Sequence, residues 1–274
     1  MKSDEIVSLN LREAVASAKS ELLVGAGSFG SVVFRFSSND ASNAFASAVV
    51  RADGHPIDFH FDSYDTGSTA VEGIWWLPSQ SSTTYLVLSN PTNETVTGTL
   101  VLSDASGTNH STSVKIGPRQ TQRNDMREFL GSAASGGYGG LSLYVDKAGS
   151  VFATEIAFDE VIGTAATMKL FDRELGDKVK GRVLRAPMMA LSQPDRSLGF
   201  PSGTTLQPKI VLRNAGTTAS IVAPGVNWIN QTQTGSSLLA PVTLLPGEIR
   251  TISLADFQKS GQIPVEADAI CRRH

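Results

Sequence analysis

The chain is poor in the features that mark several classes of protein. Among its 274 residues there is one cysteine, Cys271, which excludes an internal disulfide and any zinc site built from several cysteines. It contains no run of about 18 apolar residues, so the sequence predicts no transmembrane helix. Its first residues also lack the apolar run of a signal peptide.

Charge is sparse as well. The 23 basic and 26 acidic residues make up 18% of the chain and leave a net charge of -3. This balance gives no general attraction to nucleic acid or to an anionic membrane. Because 41% of the residues are hydrophobic, the chain can build a core and is unlike a disordered tail. We therefore expect a folded protein that binds no nucleic acid and does not insert into a membrane.

Alternation of polar and apolar residues is the dominant pattern. Apolar side chains occupy every second position in residues 56–62, 95–102 and 141–145, which is typical of half-buried strands. Each such strand has one apolar face that needs a partner. The strands are therefore expected to pack as two antiparallel sheets, face to face.

Helical spacing is rare in this sequence. Residues 11–22 fit one helix face, and short helical turns are predicted at 125–130 and 254–259. No regular order of strand, helix and strand is present, which argues against a parallel α/β sheet. The predicted fold class is all-β with a few short helical turns.

Parts of the sequence resemble other parts of the same chain. Residues 86–92 match residues 210–216, and residues 114–118 match residues 242–246. These matches keep their order along the chain, as expected of an internal repeat. They define the front half of a unit of about 115–128 residues.

A second set of matches defines the back half of the unit. Residues 27–32 loosely match residues 136–141, and residues 45–47 match residues 152–154. The front half is therefore found in the middle and near the C-terminus, whereas the back half is found near the N-terminus and in the middle. The chain thus opens with a back half and closes with a front half.

This order allows two divisions into domains. In the first, residues 1–130 and 131–274 each form one β-sandwich unit, so that no sheet face is left uncovered. In the second, a complete sandwich at 79–187 lies between partial units at 1–78 and 188–274. The second division suits a fragment of a longer tandem array.

The densest group of metal-ligating residues is His55, Asp58, His60 and Asp62. Two histidines with carboxylates suit zinc or iron, and strand spacing can bring alternate side chains together. The alternative is a solvated strand face, which needs polar residues in any case. Acidic turns at 62–67 and 172–177 offer oxygen ligands for calcium, although they lack the EF-hand spacing and are also ordinary turn sequences.

Trp75, Trp76 and Trp228 are candidates for binding a sugar ring by stacking. Because neighbouring residues of a strand face opposite sides, at most one of Trp75 and Trp76 joins the same core. The other is expected to be exposed or to fill a contact between domains. The alternative role of all three is packing.

Signatures of an enzyme are weak. The glycine-rich residues 25–32 fit a kinase phosphate loop, but no H-R-D or D-F-G sequence accompanies them. No G-x-S-x-G elbow is present. Glu155 and Asp159 are the nearest approach to paired catalytic acids, yet they share one predicted strand and are expected to face solvent. We predict no catalytic activity and no cofactor.

A strand, Asn-Pro turn and strand at residues 88–100, and a Pro-Gly turn into a strand at 246–254, resemble tandem immunoglobulin-like β-sandwich modules of bacterial secreted and cell-envelope proteins. The resemblance implies two such antiparallel sandwiches. It also implies a spacer, adhesin or docking surface, located outside the cell or in the envelope. The implied partner is another protein or a neighbouring repeat, and no catalytic residues come with the resemblance.

Three hypotheses for function follow. The leading one is a non-catalytic structural or interaction module. The second is a carbohydrate-binding module that uses an exposed tryptophan, with a glycan as partner. The third is a metal-dependent hydrolase built on the group of His55, Asp58, His60 and Asp62.

Overall fold

The protein is all-β in the part of the chain that the structure describes. This computed structural model describes residues 47–52, 55–60, 68–77, 79–131, 137–159, 164–172, 188–189, 209–229, 233–264 and 268–270. Within these ranges there are nineteen strands and two short helices, and every strand pair is antiparallel. The prediction of an all-β fold is confirmed.

The elements are numbered in chain order. The first eleven strands and the first helix are β1 Ser47–Ala52, β2 His55–His60, β3 Ala70–Leu77, β4 Ser82–Ser89, β5 Val96–Ser103, β6 Asn109–Ile116, β7 Thr121–Asp125, α1 Met126–Leu130, β8 Gly137–Val145, β9 Phe152–Asp159, β10 Thr164–Lys169 and β11 Phe171–Asp172. The remaining elements are β12 Met188–Met189, β13 Lys209–Arg213, β14 Ser220–Val222, β15 Gly225–Ile229, β16 Thr234–Leu238, β17 Val242–Leu244, β18 Ile249–Ser253, α2 Leu254–Lys259 and β19 Asp268–Ile270.

Two sheets share the first core. One has the strand order β11-β3-β8-β5-β6 and the other the order β10-β9-β4-β7. In β5 the predicted alternation is present, since Val96, Leu100 and Leu102 are buried while Thr97 and Thr99 are exposed. The core also takes apolar side chains from β8 of the same sheet, from the facing sheet, from α1 and from the connections, among them Leu86, Leu88, Met126, Leu141, Leu143 and Val151.

This core draws on residues before and after position 130. Leu88 of β4 and Leu141 of β8, for example, belong to the same cluster of buried side chains. A second cluster lies further along the chain, between residues 210 and 263. The domain boundaries stay a prediction.

Both predicted helical turns are present. α1 begins after Asp125, whose carboxylate accepts a hydrogen bond from the Arg127 amide at 2.9 Å and so caps the helix. α2 runs over Leu254–Lys259, as predicted. Both helices bury their first residue, Met126 and Leu254, and none in the described ranges has the length and apolarity needed to span a bilayer.

The second core lies among three smaller sheets. They have the orders β13-β18, β14-β17 and β12-β19-β15-β16 within the described ranges. The buried members of this core come from β15, β18, α2 and the loops around them: Val226, Leu239, Ile252, Leu254 and Ile263.

An asparagine after β4 and another after β13 make the same contacts. The Asn90 amide donates to the carbonyls of Glu94 at 2.6 Å and Ile116 at 3.2 Å, and its Oδ1 accepts from the Thr92 amide. The Asn214 amide likewise donates to Thr218 O at 2.8 Å and Leu244 O at 3.0 Å, and Gly216 N–H donates to its Oδ1. Each asparagine therefore ties the end of its strand to a neighbouring hairpin.

The turns that lead into β7 and β18 also correspond. Each has a proline in second place, Pro118 or Pro246, and a residue with positive φ in third place. That third residue is Arg119 at 56° in the first turn and Gly247 at 75° in the second. A proline followed by positive φ is a feature of a type II turn, which favours glycine in third place.

The hairpin of β5 and β6 corresponds to an interrupted hairpin in the second half of the chain. β14 and β17 pair over three residues, and β15 and β16 then pair over five in a different sheet. The breaks contain Pro224 and Pro241, which have no amide hydrogen to give to a strand ladder. The two prolines thus let one long hairpin contribute to two sheets.

Replacing either capping asparagine with alanine is expected to lower the free energy of unfolding by about 2–3 kcal/mol, because buried carbonyls and an amide lose their partner. Asn90 is 2% exposed and Asn214 is 6% exposed. Urea denaturation followed by circular dichroism measures the effect. The control is Asn93→Ala, an exposed position, where a change within about 0.5 kcal/mol is expected. An equal loss in the control would contradict the capping role.

Candidate functional site: a buried arginine between two cores

The predicted metal site falls mostly outside what can be described. His55, Asp58 and His60 lie on β2, of which only the backbone is described, and Asp62 lies outside the described residues. The acidic turn at 62–67 also lies outside, as do residues 173–177 of the second turn. Among the described side chains, no group of three or more His, Cys, Asp or Glu is arranged to hold a metal ion.

The three tryptophans have different environments. Trp75 is 5% exposed and belongs to the first core, where its Nε1 donates to Ser103 O at 2.9 Å. Trp76 is 39% exposed. Trp228 is half-buried against the second core, and its Nε1 donates to Ser237 Oγ at 3.3 Å. Trp76 is therefore the one of the three with a substantially exposed ring.

Arg213, the last residue of β13, makes four side-chain hydrogen bonds to residues at least 71 positions away in the chain. Its Nη1 donates to Glu72 Oε2 at 2.7 Å, to Gly73 O at 2.9 Å and to Leu141 O at 2.7 Å. Its Nη2 donates to Ser142 Oγ at 2.7 Å. All four acceptors belong to β3 and β8, so the arginine joins β13 to the first core.

This site lies on the face of the β3–β8 pair that is turned away from the core. Glu72 is opposite Ser142 in the ladder, and the next residue of β8, Leu143, is fully buried in the core. Because side chains of a strand alternate between faces, Glu72 and Ser142 lie on the outer face. They are nevertheless 5% and 4% exposed, because this part of the outer face is covered.

Charge and shape both fit the guanidinium. The side chains of Arg213 and Glu72 are 10% and 7% exposed, and Ser142 Oγ donates a further hydrogen bond to Glu72 Oε2 at 2.6 Å. Space for the arginine requires Gly140, where a Cβ would lie 2.5 Å from Arg213 Nε. A buried pair of this kind contributes little net stability but is costly to break from one side. Its effect is to fix the position of β13.

Sequence reasoning did not identify this site. One signal was available in β3, where Glu72 is the only charged residue in an otherwise apolar strand. A second was available in the internal match, where Arg213 takes the place of Ser89 between a shared leucine and a shared asparagine. Both signals mark a departure from the strand pattern and from the repeat.

The prediction that Glu155 faces solvent is wrong. This residue lies on β9 opposite Leu86, it is fully buried, and its Oε1 accepts from the Trp76 amide at 2.8 Å. Burial raises the pKa of this carboxyl to about 8, and the hydrogen bond from Trp76 opposes the shift in part. Glu155 is therefore mainly protonated at neutral pH.

The position of Glu155 explains why a carboxyl is there. β11 pairs with β3 only at Val71 and Glu72, so the edge of β3 at Trp76 carries no strand among the described residues. Glu155 Oε1 accepts from the Trp76 amide, and Thr84 Oγ1 donates to the Trp76 carbonyl at 2.6 Å. Two side chains from the facing sheet thus provide hydrogen-bond partners for both backbone polar groups of Trp76 at this edge.

A cavity beside the first core is too small for an organic substrate. Its volume is about 30 Å³, and it is lined by Leu102, His110, Ser111, Thr112 and Phe129. This space suits one or two water molecules, whereas ligand pockets measure about 300–1,000 Å³.

Comparison with known proteins gives little guidance. No protein-family model and no curated protein matches the chain. Among solved structures the chain is similar to the crystal structure of Thermotoga maritima 1070, with a TM-score of 0.34 and 15% sequence identity. The match covers 38% of this chain and 94% of that chain. A similarity at this level supports no argument about fold or function.

Proposed function

We propose that this chain is a non-catalytic structural and interaction module. It consists of immunoglobulin-like β-sandwich units in tandem. The first unit is formed by β3–β11 and α1 around the first core, and the second unit by β12–β19 and α2 around the second core. Arg213 holds the two units in a fixed relation. The observation that carries the proposal is the burial of this arginine among four acceptors on the first unit. A spacer or an adhesin stalk needs such joints, because its task is to hold a binding surface at a set distance.

The tandem arrangement is supported by the contacts that recur in the two halves. Asn90 and Asn214 cap the ends of β4 and β13 in the same way. In both halves the capped strand pairs with a strand that runs straight into a short helix. Correspondence of hydrogen bonds at matched sequence positions is what duplicated units retain.

The fixed relation of the units follows from the chemistry of arginine. A guanidinium presents its N–H groups in one plane and at fixed angles, so several simultaneous acceptors define its orientation. Here the acceptors are a carboxylate, a hydroxyl and two backbone carbonyls. Since both carbonyls belong to a paired β ladder, they cannot follow a moving arginine.

Distance measurement between spin labels tests the proposal. Labels are attached at Lys115→Cys on β6 and Lys259→Cys on α2, both exposed positions, with Cys271→Ser to remove the native thiol. We expect one narrow distance distribution in this protein and a broader one after Arg213→Gln. The matched control is Arg250→Gln, which removes an exposed ion pair with Glu248 and should leave the distribution narrow. A broad distribution before any change at Arg213 would overturn the proposal.

Carbohydrate binding is the second candidate, and the exposure of Trp76 favours it. If the protein is a non-catalytic interaction module, a glycan array should show no binding and analysis of the purified protein should show no bound metal. Binding to one glycan that is lost in Trp76→Ala would replace the proposal with a carbohydrate-binding module. Stoichiometric zinc or iron that is lost in His60→Ala would favour the metal-dependent hydrolase. The resemblance to secreted modules adds an extracellular or cell-envelope location to the proposal.

A further inference from the structure

Of the edge strands in the described part of the chain, β13 and β1 have counterparts in the other half of the repeat that are paired on both sides. β13 pairs with β18 on one side, and β1 pairs with β2 on one side. In the described ranges the other edge of each strand carries no partner. Open edges present unpaired amide and carbonyl groups and are the usual sites at which another strand is added.

The first unit shows what belongs at the edge of β13. β4, the counterpart of β13, pairs with β7 on one side and with β9 on the other. β9 in turn forms a hairpin with β10. The second unit therefore has the counterparts of β4 and β7, whereas a counterpart of the hairpin is not among the strands paired to β13.

The β1–β2 hairpin matches the β9–β10 hairpin, whose counterpart is not among the described strands paired to β13. It pairs six residues on each strand, from Ser47 opposite His60 to Ala52 opposite His55. The β9–β10 hairpin also pairs six, and its pair of Thr154 with Lys169 corresponds to that of Ser47 with His60. The sequence match of residues 45–47 with 152–154 aligns the same two positions. Sequence and register therefore agree.

Burial in the second unit is consistent with an incomplete layer. Leu86 and Leu88 of β4, which is paired on both sides, are fully buried in the first core. Their counterparts on β13, Ile210 and Leu212, are only half-buried. An added hairpin would cover them as β9 and β10 cover β4.

We propose that β1 of one copy of this chain pairs with β13 of a second copy, so that copies associate head to tail. The occupant is a second copy because β2 already lies against β10 of its own chain, which turns the open edge of β1 outward. In the first unit Leu86 pairs with Glu155. The repeat aligns Leu86 with Ile210 and Glu155 with Ala48, so the same register places Ile210 opposite Ala48. Such a heterologous contact repeats from copy to copy. This inference rests on the proposed function, and it names a unit of a second copy of the chain as the binding partner.

Disulfide cross-linking between separately made variants tests this pairing. One protein carries Ala48→Cys and the other Ile210→Cys, both with Cys271→Ser. Directly opposed residues of antiparallel strands have Cα atoms about 4.5–5.5 Å apart, which suits a disulfide. After mild oxidation of the mixture we expect a disulfide-linked dimer with one chain of each kind. The control mixture pairs Ala48→Cys with Lys115→Cys, an exposed position on another edge strand, and should give no more than background dimer.

Sedimentation of the unsubstituted protein covers the case in which a cysteine variant fails to fold. We expect the average mass to rise with concentration, and Val211→Pro, which blocks the edge of β13, to abolish the rise. A constant monomer mass together with background cross-linking would overturn the proposal. So would efficient cross-linking within a single chain that carries both cysteines, when the mixture gives none. The cross-linking and sedimentation results do not change the distance between the spin labels at positions 115 and 259 of one chain. The proposed function is therefore tested separately from this pairing.

Discussion

Replacing Arg213 with methionine is expected to lower the free energy of unfolding by about 3–5 kcal/mol, as is usual when a buried ion pair loses one member. Methionine keeps much of the apolar stem but offers no donor to Glu72, Gly73 O or Leu141 O. Glu72, which is 5% exposed, then loses its cationic partner in a buried site. Urea denaturation at neutral pH, followed by tryptophan fluorescence, measures the loss.

Two further variants show whether the unpaired charge is the cause. In the double variant Glu72→Gln with Arg213→Met, the cost should fall well below that of Arg213→Met alone, because no buried charge is left. Arg250→Met removes an ion pair that is largely exposed and should cost at most about 1 kcal/mol. If the double variant is as unstable as the single one, shape and not charge dominates at the site.

The stability of the folded protein is expected to fall as pH rises from about 4.5 to about 8, with Glu155 as the cause. The pKa of this carboxyl is raised from 4.5 to about 8 by burial. Between these values the unfolded chain has lost the proton while the folded chain keeps it. The folded state binds more protons in this window, so the free energy of unfolding decreases with rising pH. The shift corresponds to about 5 kcal/mol across the whole window.

Glu155→Gln should remove most of this dependence. The glutamine keeps an Oε1 to accept from the Trp76 amide and does not ionise. We expect the variant to be within about 1 kcal/mol of the parent at pH 5 and to be several kcal/mol more stable at pH 9. Thermal or urea unfolding at a series of pH values gives both curves.

An exposed carboxylate provides the comparison for this experiment. Glu128 on α1 is exposed, and Glu128→Gln should leave the decline with pH in place. A parent protein whose stability is flat between pH 5 and 8, or a decline that persists unchanged in Glu155→Gln, would contradict the assignment.

Much of the fold could be predicted from local spacing. The alternation around Val96, Leu100 and Leu102 identified β5 and its buried face, and the second helix begins and ends where predicted. The rule that neighbours in a strand face opposite sides correctly separated Trp75 from Trp76. These features depend on residues close together in the chain, and a sequence pattern reports such features directly.

The candidate site could not be predicted in the same way. The alternation in β8 assigns Ser142 to solvent, but an arginine 71 residues further along the chain donates to it and helps to cover it. Glu155 was expected to be solvated for the same reason, yet it is fully buried and bonds to the Trp76 amide across the core. In both cases a partner from a distant segment decides the burial, and local polarity contains no information about that partner.

The two prolines of the interrupted hairpin have a consequence for aggregation. With Pro224 and Pro241 at its breaks, β14 is limited to three residues, whereas β5 has eight. A strand this short offers a foreign chain few amide and carbonyl groups to pair with, and the two prolines end its ladder just beyond the pair of Val222 and Val242. The neighbouring sheet edge at β13, of five residues, has no such interruption. We therefore expect β14 to be a poorer template for fibril growth than β13, whose open edge is the one proposed to bind a second copy.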